Sequence, residues 1–250
     1  MLIFLVSCES AHFNDNKVIA HRGAWKSNDL PQNSLASLEK AIELGCEGTE
    51  FDVWMTKDSV LVVNHDADFE GMEIEHHNYQ ELLSKHHSNG EKLPTVEEYL
   101  LAGMEQSKTK LVFEIKPSKL GVERSQFIAE KSLEMVNALN AEKWVDFITF
   151  SYEAGLKIIN LDSNSRVAYL KGDKTPAELS EAGFFGFDYN IKVLRNNPEW
   201  IKEAQDLALT INAWTVNKEE DMIWLLENNV DFITTDEPEK LLALIQKEAR

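Results

Sequence analysis

Two carboxylates one residue apart, Glu50 and Asp52, stand inside an apolar run, Gly48-Thr49-Glu50-Phe51-Asp52-Val53-Trp54. Residues two apart on a strand point to the same face. Two carboxylates on one face repel unless a cation lies between them or one takes up a proton. A hard divalent cation with oxygen ligands is the economical way to hold them together. The plainer alternative makes one of them a solvated residue at a strand end. His21 follows a shorter apolar run, Val18-Ile19-Ala20, and leads into Arg22-Gly23. His65 follows another, Val60-Leu61-Val62-Val63-Asn64, and precedes Asp66. Glu114-Ile115-Lys116 closes a fourth. Polar groups in such runs must be paired or face a cavity, because burying them without a partner costs several kcal/mol.

Histidines move protons near neutral pH. An arginine and a divalent cation stabilise negative charge that builds on an anion. Cleaving a phosphodiester needs a deprotonated nucleophile, a protonated leaving oxygen and stabilisation of the added charge. His21, His65, Arg22 and the set Glu50, Asp52 and Glu114 contain these parts. Acyl transfer finds no G-x-S-x-G element here. Glycoside hydrolysis needs two carboxylates but neither the histidines nor the arginine.

Such residues need a scaffold that gathers them. Apolar, β-branched and aromatic runs predict strands over 17–23, 48–54, 60–64, 111–116, 147–151, 167–170, 184–189, 209–216 and 231–235. Helical patterns fill the intervals over 34–44, 122–139, 154–161, 176–182, 198–206, 218–227 and 238–248. Asn33 or Ser34 reads as the cap of the first helix and Gly45 as its end. Thr95 and Glu98 read as a capping box. Eight strands alternating with helices make a parallel sheet through right-handed crossovers. His21, Glu50, Asp52, Glu114, Lys116, Trp214 and Asp236 all fall late in strands or just after them. An α/β barrel brings those ends to one face, whereas an open sheet spreads them along an edge. The expected fold is a (β/α)8 TIM-type barrel with a short irregular insertion after the second strand region, at 66–92. That insertion holds His76-His77 and His86-His87, whose adjacent spacing is poor for a metal site and which read as solvated.

With 250 residues the chain can build one substantial core. A net charge of −18 argues against a nucleic-acid partner, which calls for a basic face. It leaves an anionic substrate open, since a local field can oppose the overall charge. Of the two cysteines, Cys46 reads as a small buried thiol. Cys8 closes the apolar run 1–8, and Leu5-Val6-Ser7-Cys8 resembles a bacterial lipoprotein box. The run is short and lacks the basic residues that secretory signals carry. Residues 1–16 are expected to be a signal-like segment and tether, and 17–250 a single barrel domain. The corresponding location is an exported, periplasmic or cell-envelope lipoprotein anchored through a lipidated Cys8, with a cytoplasmic protein as the alternative.

The pieces His21-Arg22-Gly23, Pro31-Gln32-Asn33-Ser34, Glu50-Phe51-Asp52-Val53, His65-Asp66, Glu114-Ile115-Lys116 and Ile233-Thr234-Thr235-Asp236-Glu237-Pro238 occur in this order over nearly the whole chain. In this the chain resembles the glycerophosphodiester phosphodiesterases. The resemblance implies the barrel fold and the hydrolysis of glycerophosphodiesters to an alcohol and glycerol 3-phosphate. It implies magnesium or calcium on Glu50, Asp52 and Glu114, and acid/base roles for His21 and His65. It places Arg22 on the phosphate with Lys116 close by, and Trp214 against the glycerol. One departure stands out: Gln32 occupies the position of a family glutamate that lies beside the arginine.

Each assignment has a plainer competitor. His21 could be a satisfied core histidine, Lys116 a simple partner of Glu114, Trp214 a core residue and Asp236 a helix cap. Two rival functions also stand: a phosphatidylinositol-cleaving phospholipase barrel, which needs no carboxylate triad, and a weakly catalytic phosphoester-binding protein.

Overall fold

The computed structural model describes residues 13–248. Its elements in chain order are β1 (Val18–Ala20), α1 (Leu35–Leu44), β2 (Gly48–Met55), β3 (Leu61–Val63), β4 (Asp68–Phe69), β5 (Met72–Glu73), α2 (Tyr79–Leu82), α3 (Val96–Gly103), β6 (Lys110–Ile115) and α4 (Val122–Leu139). They continue with β7 (Val145–Thr149), α5 (Tyr152–Leu161), β8 (Val167–Tyr169), α6 (Pro176–Glu181), β9 (Gly186–Asn190), α7 (Ile191–Asn196), α8 (Glu199–Asp206), β10 (Thr210–Trp214), α9 (Glu219–Glu227), β11 (Phe232–Thr235) and α10 (Pro238–Glu248). Strands β1, β2, β6, β7, β8, β9, β10 and β11 pair in parallel around a ring. β1 closes it by pairing with both β11 and β2. The (β/α)8 barrel is thus borne out.

Alternation along each strand sorts the side chains. Val18, Ala20, Phe51, Val53, Phe113, Ile115 and Phe147 point outward into the main core beneath the helices. Ile19, Val112, Ile148, Ala168 and Leu170 form a separate cluster inside the ring. At its lower end Lys110 and Arg166 both pair with Asp146. Of the expected tether, residues 13–16 are described: Asn14 donates to Cys46 O at 2.9 Å and Asn16 to Gly45 O at 3.0 Å. Cys46 is buried as expected, and burial pushes its thiol up to about 12. Cys8 lies outside the described residues. Among the described residues no helix is long and apolar enough to cross a membrane.

Local signals match the fold where a side chain can close a turn. Ser34 caps α1, accepting from Ser37 N at 3.0 Å, and Gly45 ends it at φ +75°. Thr95 and Glu98 form the capping box of α3. The run at 60–64 forms a strand, but β3 returns antiparallel to β2 outside the ring, because a short turn cannot make a parallel crossover. The insertion carries the β4–β5 hairpin and the single turn α2, packed on Trp54, Val62, Phe69, Ile74, Leu82 and Leu93. Helix α7 has no counterpart among the expected helices. It is six residues long and follows β9 without a break, so no loop sets it apart in the sequence.

Candidate active site

The strand ends converge as barrel geometry requires. β1 delivers His21 and Arg22. A Cβ on Gly23, at φ +84°, would meet the Ser37 backbone carbon at 2.6 Å, so the turn packs against α1 only with glycine there. Arg22 itself takes φ +58°. Its amide donates to Glu50 Oε2 at 2.9 Å, its Nη1 to Gln32 Oε1 at 2.6 Å, and its Nε lies 3.6 Å from Asp52 Oδ2.

Glu50 and Asp52 come from β2, and Glu114 stands opposite Asp52 on β6. One oxygen from each falls within 4.8 Å of the others, and all three residues are buried. Lys116 Nζ lies 3.0 Å from Asp52 Oδ1 and 2.8 Å from Glu114 Oε1. Asn33 grips Asp52 twice, donating from Nδ2 to Oδ2 at 2.9 Å and accepting from the Asp52 amide at 3.0 Å. Burial raises Asp52, but Lys116, His65, Arg22 and Asn33 outweigh it and hold the carboxyl below its ordinary range. Burial and then the charges of Asp52 and Glu114 push Glu50 well up. Burial and Asp52 likewise raise Glu114. Glu50 Oε1 is buried without a hydrogen-bond partner. Three buried carboxylates, one with an orphaned oxygen, fit a hard divalent cation.

Two histidines flank this set. His21 Nδ1 lies 2.7 Å from Asp236 Oδ1. The second oxygen of Asp236 accepts from Asn217 at 2.7 Å. Burial raises Asp236, and the bond and charge of His21, with Asn217 and Arg22, more than reverse that. His65 Nδ1 lies 2.7 Å from Asp66 Oδ1, and its backbone carbonyl accepts from Trp54 Nε1 at 3.1 Å. Burial lowers His65; Asp52 pulls it up and Lys116 and Arg22 push it down, for a net decrease.

Two cavities meet here. The inner one, about 140 Å³, is lined by His21, Arg22, Glu50, His65, Glu114, Lys116, Asp188 and Trp214, with Ile148, Phe150 and Leu170 as its apolar wall. The outer one, about 860 Å³, includes Trp25, Gln32, Asp66, Asp68, Phe69 and His87, and shares Arg22 and His65 with the inner. Trp214 is therefore a cavity residue, its ring edge-on to Phe150 and its Nε1 bonded to Asp188 O at 2.9 Å.

A family model described as the glycerophosphoryl diester phosphodiesterase family matches residues 21–240. The chain belongs to that family. Its members include relatives such as the glycerophosphodiester phosphodiesterase of Caldanaerobacter subterraneus subsp. tengcongensis, 31% identical over 92% of this chain and 98% of that protein. A glycerophosphodiester phosphodiesterase of Parabacteroides distasonis, solved at 1.89 Å, superposes with a TM-score of 0.91 at 43% identity, covering 96% of this chain and all of the other. The fold alone is shared with an Oleispira antarctica phosphodiesterase solved with the product sn-glycerol-3-phosphate, at TM-score 0.80 and 21% identity over 92% of this chain and 97% of that one. As a member of this family, the chain is a phosphoric diester hydrolase.

All nine expected site residues lie together: His21, Arg22, Gln32, Glu50, Asp52, His65, Glu114, Lys116 and Trp214 line one or both cavities or, for Asp52, stand behind them. Sequence reasoning misses the roles of four residues. Asp236 binds His21 instead of capping α10. Asn33 orients Asp52, whereas the sequence offers it only as a candidate cap of α1, a role that Ser34 takes. His87 lines the outer cavity although its doublet reads as solvated. Asp188 is signalled only by an acid inside the apolar run 184–189.

Proposed function

We propose that this chain hydrolyses glycerophosphodiesters to an alcohol and glycerol 3-phosphate, using His21 and His65 as an acid/base pair and one divalent cation, magnesium or calcium, held by Glu50, Asp52 and Glu114. The observation that carries this reading is the shared wall: Arg22 and His65 line both cavities, with the carboxylate set beside them. A phosphate at that junction has a guanidinium to bind it and room on either side for its two ester groups.

His21, held by Asp236 and lining the inner cavity, removes the proton from the attacking hydroxyl. That hydroxyl belongs to the glycerol, giving a cyclic phosphate that water then opens. His65, which lines both cavities, gives a proton to the departing alcohol oxygen as its bond to phosphorus breaks. Arg22 and Lys116 offset the charge on the phosphoryl oxygens. A cation held by Glu50, Asp52 and Glu114 would supply further charge stabilisation. Lipidation at Cys8, with an envelope location, belongs to the same proposal, and radiolabelled palmitate incorporation lost in Cys8→Ala tests it.

The deciding experiment is release of glycerol 3-phosphate from a panel of diesters, with chelator and then with added magnesium or calcium, beside Glu50→Gln. Metal-restored release that the variant lacks is the expected result. Release unaffected by chelation would move the reading toward a metal-free phospholipase. Binding without turnover would make this a phosphoester-binding protein.

A further inference from the structure

Asp188 sits mid-strand on β9, facing the inside of the ring, and is 1% exposed. Its Oδ1 has no hydrogen-bond partner among the described residues. The polar groups around it are committed elsewhere. Asn212, its register partner on β10, donates to Thr234 Oγ1 at 2.9 Å. Trp214 Nε1 is spent on the backbone oxygen of Asp188, not its carboxyl. Lys116 serves Asp52 and Glu114. A buried acceptor left without a donor is costly, and such groups in folded proteins call for an explanation.

The explanation lies in the cavity that Asp188 lines. One wall is apolar, from Ile148, Phe150 and Leu170, and one is the Trp214 ring. The opposite side carries His21, Glu50 and Lys116. At about 140 Å³ the space suits a short polyol, whereas the outer cavity of about 860 Å³ suits a bulkier group. Carbon-bound hydrogens of a polyol pack on the apolar and aromatic sides, and its hydroxyls need acceptors. We propose that Asp188 is a specificity-determining residue that accepts a hydrogen bond from the terminal hydroxyl of the substrate's glycerol, seating that moiety in the inner cavity and the leaving alcohol in the outer one. This rests on the glycerophosphodiesterase reading and adds to it which end of the substrate goes where. The bond from Trp214 Nε1 to the Asp188 backbone ties the aromatic surface to the strand that carries the acceptor.

The test uses the full chain and two ethanolamine phosphodiesters, one of glycerol and one of 1,2-propanediol. The second lacks only the terminal hydroxyl and keeps the one next to the ester. Wild-type protein should favour the glycerol diester by about 30-fold or more in kcat/KM, since a site that hydrogen-bonds a hydroxyl rejects the analogue lacking it. Asp188→Leu should reduce that preference to within about threefold by lowering only the glycerol value, with Asp188→Asn intermediate. Equal use of both diesters by the wild type would overturn the proposal, and needs no variant to fold. A preference that persists in the variants, with both substrates slowed alike, would make Asp188 structural and overturn it too. Calorimetry of glycerol 3-phosphate against 1,2-propanediol 1-phosphate reads the same discrimination without turnover. If the wild type hydrolyses neither diester but still binds the first phosphate more tightly, the hydrolytic reading fails while the hydroxyl contact stands.

Discussion

His21 and Asp236 are 215 residues apart in the chain and 2.7 Å apart in the barrel. They follow strands β1 and β11, which pair with Ala20 opposite Thr235. A carboxylate on Nδ1 fixes the imidazole's orientation and leaves Nε2 to face a reactant. Asp236→Asn keeps the shape and removes the charge. The variant should lose about a hundredfold or more in kcat with KM changed little. It should also shift the pH profile of kcat, which simple loosening of the fold would not do.

Gln32 holds the Arg22 guanidinium through a neutral oxygen at 2.6 Å. Glutamate at this position would place a charge on the same group and compete with the substrate phosphate. Gln32→Glu is expected to raise KM by about three- to tenfold, because the substrate must then displace a charge-assisted bond already made in the free enzyme. Steady-state kinetics at two ionic strengths decide it, because a charge effect weakens with salt. Unchanged kinetics and unchanged metal dependence would contradict it.

The carboxylate set makes stability depend on pH in a defined direction. Glu50 and Glu114 are raised above their unfolded values of about 4.3. Between unfolded and folded values the unfolded chain has lost these protons and the folded chain keeps them. Stability therefore falls as pH rises through that window. Chelated protein should melt at a higher temperature at pH 5.5 than at pH 8. A divalent cation should add more stability at pH 8, where the ligands are charged. Thermal unfolding at both pH values, with and without cation, measures both effects.

Gly23 tests the turn that carries Arg22. Gly23→Ala puts a methyl 2.6 Å from the Ser37 backbone at a φ of +84°. Strain and overpacking together should cost about 2 kcal/mol or more. Urea unfolding reads that loss. A stability unchanged from wild type would mean that the β1–α1 turn can shift without cost.

Much of this site is legible in the chain because its chemistry repeats one rule: a polar residue at the end of an apolar run. Glu50 and Asp52 announce themselves by two-residue spacing, and β2 places both toward the inside. Ser34, Gly45 and Thr95 mark helix ends because each satisfies backbone groups locally. What is not legible depends on distant pairing. Asp236 has two possible uses, as helix cap or histidine partner, and only the β1–β11 register decides between them. Asn33 looks like a helix-cap candidate until β2 brings Asp52 beside it. The reversed direction of β3 and the six-residue α7 follow from chain length between elements, not from side-chain pattern.

The ring closes between the first barrel strand and the last, and this has a consequence for biosynthesis. While the chain is being made, β1, β2 and β6 can emerge with His21, Arg22, all three carboxylates and His65 already present. Asp236 follows the last barrel strand and arrives only after the other seven have been made. Domains fold as units as synthesis proceeds, so the closing strand and the partner of His21 arrive together. A nascent or prematurely terminated chain thus carries most of the site's polar groups without the carboxylate that holds His21. Closing the ring is thus also the step that brings His21 its carboxylate partner.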